Sequence, residues 1–402
     1  MKSMRMKYNQ ATATIGTAQI YEKKKPLKTQ SEPRQSETKL APRHWSDSCA
    51  NSECTLHQLS PYIGKLKSSI ASDLISRYTK NGNLIVDPFC GAGTIPLEAI
   101  RLGRRIFASD VSQYATVLTC AKLAAPINLQ SAILNFDCAY SESLLLPEPD
   151  LRQVPIWVRR FFHPRTLKSA IRLATVCRKK RDHFTLACLL GILHHQRPGF
   201  LSYPSSHLVP YLRNVRFPRE QHPDLYEYRE IVPRMHAKIT RAYKRMKLPR
   251  QIPKWTIRRS EIRALAFPQS FDCIVSSPPY MNALDYVRDN RLRLWFLTQD
   301  AETVTDNSMT RNEDDFRKAI QKLAACAERG LVSNGHCVLI VGETVTRRGT
   351  LHPSDITLAI FAQFAPSLTL QHSFLDNIPD IRRSRKDCAG TRQERILVLK
   401  KK

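Results

Sequence analysis

Short apolar runs separated by stretches with helical spacing set the frame of this chain. Leu84-Ile85-Val86, Arg105 to Ser109, Lys254 to Arg258, Phe271 to Val275, His336 to Val341, Leu368 to Phe374 and Arg395 to Leu399 each have the length and apolar content of a strand. Between them, Ile70, Leu74, Ile75 and Tyr78 recur on one helical face, and Asn81-Gly82 supplies a stop. Further helices are predicted from about Ile95, over Gln113 to Leu123, Ala283 to Phe296, 312 to 330, and Ile356 to Phe364. Seven strands with helices between them, the last two strands joined directly by a loop containing Arg382-Arg383-Ser384-Arg385-Lys386, predict an α/β fold.

Two regions break the pattern. Residues 1–55 are polar, with Pro26, Pro33 and Pro42 among Ser, Thr and Lys, and read as a flexible basic tail. Residues 130–253 interrupt the alternation with a mainly helical insertion, built on Ile171 to Leu193 and Ile231 to Met246 around a proline-punctuated loop. The expected layout is therefore a tail (1–55), a first α/β half (56–129), the insertion (130–253) and a second α/β half (254–402).

Charge sharpens this division. The 402 residues carry 63 Lys and Arg against 35 Asp and Glu, a net +28. Residues 151–260 alone hold 25 basic against 5 acidic residues, so this stretch accounts for +20. Such a concentration points to a polyanion, and the interleaved Trp157, Phe161, Phe162, Tyr203, Tyr211, Tyr226, Tyr228 and Tyr243 offer stacking surfaces for nucleic acid. No apolar run has the length of a membrane span and the start has no signal-peptide core, so a cytoplasmic protein is expected. Eleven cysteines in that setting read as reduced thiols, with Cys120, Cys188, Cys273 and Cys337 as core residues. His44, Cys49, Cys54 and His57 lack the spacing of a common zinc site, and no metal is expected. His194-His195 are adjacent and do not share a helical face, which favours packing over ligation.

The candidate chemistry lies at strand ends. After Val86 comes Asp87-Pro88-Phe89-Cys90-Gly91-Ala92-Gly93-Thr94, whose glycines permit positive φ and close approach of a ligand to a helix N-terminus. The next strand ends at Asp110, placed to take the hydroxyls of a ribose. Phe271 to Val275 runs through Ser276 into Ser277-Pro278-Pro279-Tyr280, where two prolines stop the strand and stiffen its end. Ser277 and the Pro278 carbonyl suit an exocyclic amino group, and Tyr280 suits the ring that carries it.

Jointly these motifs resemble the AdoMet-dependent DNA amino-methyltransferases that modify cytosine N4 or adenine N6, over about 56–128 and 254–402. The resemblance implies a Rossmann-like seven-stranded methyltransferase fold with the insertion as target reader. It also implies S-adenosyl-L-methionine held by Asp87, Phe89, Gly91, Gly93, Thr94 and Asp110, with Glu261 at the position that meets the adenine. Tyr62-Ile63-Gly64-Lys65-Leu66 resembles the segment that closes over the methionine end. Ser277, Pro278, Pro279 and Tyr280 would form the catalytic loop around a base flipped from duplex DNA. Serine at 277 resembles the cytosine-N4 group, with adenine N6 as the alternative. The glycine loop also resembles RNA guanine-N2 methyltransferases, which makes RNA the rival partner. A nucleic-acid-binding protein that has lost catalysis is the remaining reading, and the intact glycines, Asp110 and catalytic loop oppose it.

Overall fold

A computed structural model describes residues 38–46, 51–62, 64–194, 199–203, 210–280, 286–299, 313–346, 349–378 and 390–402. Its strands are β1 (Thr38–Leu40), β2 (Leu84–Asp87), β3 (Arg105–Asp110), β4 (Trp255–Arg259), β5 (Phe271–Ser276), β6 (Leu331–Thr346), β7 (Gly349–Leu351), β8 (Leu368–Asn377) and β9 (Gly390–Lys401). The helices are α1 (Arg43–Ser46), α2 (Ser68–Tyr78), α3 (Thr94–Arg101), α4 (Gln113–Leu123), α5 (Leu129–Leu144), α6 (Ile156–Arg159), α7 (Pro164–Lys180), α8 (His183–Ile192), α9 (Pro210–Arg216), α10 (Ile231–Tyr243), α11 (Tyr286–Thr298), α12 (Glu313–Gly330) and α13 (Pro353–Phe364).

All seven expected strands lie in one sheet of order β1-β8-β9-β6-β5-β2-β3-β4, to which two short strands are added: β1 on the outer side of β8, and β7 on β6. Pairing is parallel from β4 through β6, while β9 runs antiparallel to both β6 and β8. Chain order reverses between β2 and β5, so the crevice at their carboxyl ends is the topological switch point where such sheets bind ligands.

Alternate residues of each strand feed two cores. Ile85, Cys273, Val275, Val338 and Ile340 face α2, α3, α4 and the insertion helices. Val86, Ile274, Leu339 and Val341 face α12 and α13. The insertion is thus built onto one face of the sheet, with α8 packed on α4 and α7 on α5. It also grips the approach to the first half. Thr55 Oγ1 donates to the Ala242 carbonyl (2.5 Å), and Lys238 Nζ to that of Gln58 (2.8 Å).

Three expectations change. Residues 38–46, assigned to the tail by composition, are structured: β1 pairs with β8, and Trp45 is buried with its indole N–H on Asp73 (2.7 Å). α5 was not foreseen, and α9 stands in the stretch read as loop. The aromatic surface is smaller than expected, because Phe162, Tyr203 and Tyr226 are core residues. Tyr228 stays exposed with Arg165 over its ring (4.4 Å), and half-buried Trp157 carries Arg291 (4.1 Å). No side chain of Tyr211 is described, and the basic loop 382–386 lies outside the described residues.

The histidines and cysteines behave as packing residues. His194 Nδ1 meets Ser202 Oγ (2.8 Å), while His195 and Cys49 lie outside the described residues. His44 approaches Asp73 (3.4 Å), whereas His57 pairs with Glu98 (2.7 Å). Cys188, Cys273 and Cys337 are buried free thiols, and Cys120 is half-buried. Among the described residues no helix is long and apolar enough to cross a membrane.

Candidate active site

The glycine loop begins where β2 ends. Asp87 is fully buried there, and its carboxylate is reached from β5: Ser276 Oγ donates to Asp87 Oδ1 at 2.6 Å. The other carboxylate oxygen, Oδ2, is buried with no hydrogen-bond partner among the described residues. Burial raises the Asp87 carboxyl to about 7, opposed by Ser276 and by the Phe89 amide, and assisted by the nearby charge of Asp110.

Beyond Asp87 the chain turns through Gly91 (φ 47°) and Gly93 (φ 72°), and Gly93 opens α3 in the left-handed region. A side chain at 93 has no room, since its Cβ would lie 2.6 Å from Thr119 Oγ1 and 3.0 Å from Thr119 Cα. At 91 the nearest atom to such a Cβ is Tyr62 Cε1, at 3.4 Å, which puts the Tyr62 ring over the loop. Tyr62 is itself stacked on Tyr114 (5.7 Å, 27°), and Tyr114 bonds Ser60 Oγ (2.6 Å). Of the segment Tyr62 to Leu66, Tyr62 lies against the loop, while Lys65 Nζ donates to the His57 carbonyl (3.1 Å), Leu66 packs on the core, and Ile63 is not among the described residues. Thr94 is buried, and its hydroxyl has no partner among the described residues.

Asp110 closes the loop from the β3 side. Its Oδ2 accepts from the Gly91 amide (2.9 Å) and its Oδ1 from that of Ser112 (2.8 Å). Desolvation pushes this carboxyl up to about 6 against those two bonds. Each oxygen keeps a further lone pair. Phe89 packs against the core beneath α12 and α13. Glu261, the expected adenine contact, is engaged locally: its carboxylate accepts from the Arg263 amide (3.1 Å) and Arg263 Nε (2.9 Å).

The loop of Ser277 to Tyr280, expected to be catalytic, leaves β5 beside this crevice. Ser277 Oγ donates to the Ile340 carbonyl on β6 (3.3 Å), which leaves the oxygen's lone pairs available to accept. Pro278 is buried and Pro279 half-buried. The Tyr280 hydroxyl bonds Glu394 Oε1, tying the far end of its ring to β9. β6 and β9 run on together past the end of β5, which pairs only as far as Ser276 with Leu339, and form a wall behind the loop.

The structure thus brings together Asp87, Gly91, Gly93, Thr94, Asp110 and Ser277 to Tyr280 at adjoining strand ends. Sequence reading missed Ser276, Thr119 and Glu394. Only Ser276 left a signal, as a polar residue closing an apolar run just before the Ser277-Pro278-Pro279-Tyr280 motif. These groups fit the cofactor that the resemblance implies, S-adenosyl-L-methionine. Two positive-φ glycines shape the turn without side chains, Asp87 and Thr94 offer buried polar atoms without partners among the described residues, and Asp110 can still accept from a ribose.

Residues 4–119 match the family model described as DNA methylase (N6_N4_Mtase), and no curated protein matches significantly. Among solved structures, similar chains include a TehB-like SAM-dependent methyltransferase from Corynebacterium glutamicum (12% identity, covering 83% of this chain and 87% of that one, TM-score 0.31). Another is the rRNA methyltransferase AviRa from Streptomyces viridochromogenes (12% identity, 89% and 95% covered, TM-score 0.33). The match over residues 4–119 covers less than a third of the chain and includes the glycine loop and Asp110.

Proposed function

We propose that this chain transfers a methyl group from S-adenosyl-L-methionine to the exocyclic amino group of a base flipped out of duplex DNA, with cytosine N4 as the acceptor. The observation that carries the reading is the adjacency of two loops. The glycine loop and Ser277-Pro278-Pro279-Tyr280 leave neighbouring strands and are joined by the Ser276–Asp87 bond. When bound, the cofactor supplies an electrophilic sulfonium methyl.

The protein's part is to hold and prepare the nucleophile. An exocyclic nitrogen shares its lone pair with the ring. Hydrogen bonds from its NH₂ to Ser277 Oγ and the Pro278 carbonyl favour a tetrahedral nitrogen as positive charge develops there. Ser277 is suited to accept because its own proton is directed to Ile340. Tyr280 stacks on the flipped base, worth about 1–3 kcal/mol, which offsets part of the cost of leaving the duplex. The loop carries no cysteine, so attack through cytosine C5 has no nucleophile here. The basic insertion supplies phosphate contacts, and Asp110 takes the cofactor ribose.

The test is incubation with labelled cofactor and duplex DNA, single-stranded DNA or RNA, followed by mass spectrometry of the nucleosides. N4-methylcytosine in DNA is the expected product. N6-methyladenine would move the acceptor within the same chemistry, and N2-methylguanosine in RNA would overturn the reading.

A further inference from the structure

The site's residues do not act as two separate loops. Ser276 and Asp87 are both fully buried, on the two central strands β5 and β2, whose parallel register pairs Val86 with Ile274. Ser276 immediately precedes the catalytic Ser277, and Asp87 opens the glycine loop. Their 2.6 Å bond is therefore a direct side-chain link between the segment that grips the methyl donor and the one that grips the acceptor. Asp87 Oδ1 also accepts, at 3.4 Å, from the Phe89 amide within the glycine loop, so one carboxylate oxygen joins both segments. Oδ2 stays buried and unpartnered among the described residues.

We propose that Ser276 is a positioning residue which, through Asp87, holds the glycine loop and the catalytic loop in the mutual register that methyl transfer requires. This rests on the function proposed above, because it assigns one loop to the donor and the other to the acceptor. In-line transfer needs reacting atoms aligned to a fraction of an ångström, and small misplacement is costly. At the opposite end of the two strands Asp272 Oδ2 accepts from the Leu84 amide (2.6 Å), away from both loops, while Val275 and Ile274 contribute apolar packing to the two cores.

The link also bears on the charge of Asp87, partly offsetting the burial that raises its carboxyl. The other titratable groups that face it are Asp110, at the end of β3, and the buried Cys90 thiol. Asp110 opposes ionisation of Asp87, the Cys90 thiol is kept neutral by burial, and neither donates a hydrogen bond to Asp87 among the described residues. The Ser276 hydroxyl and the Phe89 amide are the groups that favour its ionised form. Removing the hydroxyl leaves a more easily protonated carboxyl, whereas threonine restores a hydroxyl at the same place.

The experiment compares the full chain with Ser276→Ala and Ser276→Thr. Carboxyl ¹³C titration, with the Asp87 signal identified by its loss in Asp87→Asn, reads the bond without any substrate. Steady-state turnover and calorimetric cofactor affinity read its effect on alignment. Expected for Ser276→Ala are an upward move of the Asp87 midpoint, a fall in kcat of about tenfold to a hundredfold, and cofactor affinity changed by less than about threefold. Ser276→Thr should restore both midpoint and kcat. An unmoved midpoint in Ser276→Ala overturns the proposal, and so does an unmoved kcat. Equal losses of kcat and cofactor affinity that threonine does not rescue also overturn it, since they indicate packing alone. If no nucleic acid is methylated by the wild-type chain, the proposed function fails, while the titration still decides whether Ser276 controls Asp87.

Discussion

Replacing Gly93 with alanine tests the geometry on which the whole site depends. Two costs follow from the structure. The residue sits at φ 72°, where a side chain is disfavoured by about 1–2 kcal/mol. The new Cβ would also lie 2.6 Å from Thr119 Oγ1 and 3.0 Å from the Thr119 Cα, so part of the conflict is with backbone and cannot be relieved by a rotamer change. Overpacking of this kind costs about 1–3 kcal/mol. The sum, about 2–5 kcal/mol, falls on the start of α3 and the loop before it. It should appear partly as lost stability and partly as weaker cofactor binding, at about tenfold for each 1.4 kcal/mol. Urea unfolding and calorimetric titration with S-adenosyl-L-methionine measure the two parts. A Thr119→Ala background removes the hydroxyl conflict but neither the clash with the backbone at 119 nor the φ strain, so the double variant should recover only a fraction of the loss. A Gly93→Ala protein with unchanged urea midpoint and unchanged cofactor affinity would refute the assignment of this turn as a close-approach site.

Three further outcomes are expected. Ser277→Ala should lower kcat by about a hundredfold or more, in the range seen when one preorganised polar group is removed, while calorimetry finds cofactor affinity retained; unchanged turnover would remove Ser277 from the mechanism. Asp87, raised to about 7 from its ordinary 3.8, binds a proton in the native state that the unfolded chain has already lost between those values. Its contribution to stability therefore falls as pH rises through that window, by at most about 1.4 kcal/mol per pH unit, and Asp87→Asn should flatten the trend in urea midpoints. His57, held down to about 4 by burial, acts in the opposite sense between 4 and 6.5, so the difference between variant and wild type is the quantity to read. Finally, DNA affinity should fall steeply with salt, and Arg165→Ala and Arg291→Ala should each reduce the slope of log K against log salt by about 1; slopes identical to wild type would place the phosphate contacts elsewhere.

Much of the fold was legible because central strands such as β2 and β5, buried on both faces, read as continuous apolar runs, while the less buried β4 and β8 were read from mixed runs. β6 extends five residues past the predicted Val341, to Thr346, through Gly342 and Glu343, which carry no strand signal of their own. Pairing with β9, from the far end of the chain, holds them. β1 is exposed at all three positions and is held by backbone pairing to β8, which composition cannot reveal. α5 mixes Asn135, Asp137, Ser141 and Ser143 into its turns and is started by Asn128, whose side chain accepts from the Ser131 amide (2.8 Å). α9 begins at Pro210, a residue that reads as a breaker yet is well suited to a first helical position. The aromatic residues of the insertion were countable, but the direction each one faces depends on helix packing. In the site, the motif residues stand at the expected strand ends. The role of Ser276 was hidden because its partner Asp87 lies 189 positions away.

α11, the helix that leaves the catalytic loop, is clasped from both sides. It packs on α4 and α7, Arg293 donates to the carbonyls of Leu190 (3.3 Å) and His194 (3.2 Å), and Arg178 donates to that of Leu297 (2.9 Å). Trp295 and Phe296 are buried there, and Phe296 meets Phe162 edge to face at 5.9 Å. The segment 130–253 is consequently not an interchangeable cassette. A chimera that replaces it with another protein's segment must import a matching α11 as well, or the graft will expose an apolar helix and unseat the loop of Ser277 to Tyr280. Breakpoints for such an exchange belong after residue 298, not at the apparent seam near 254.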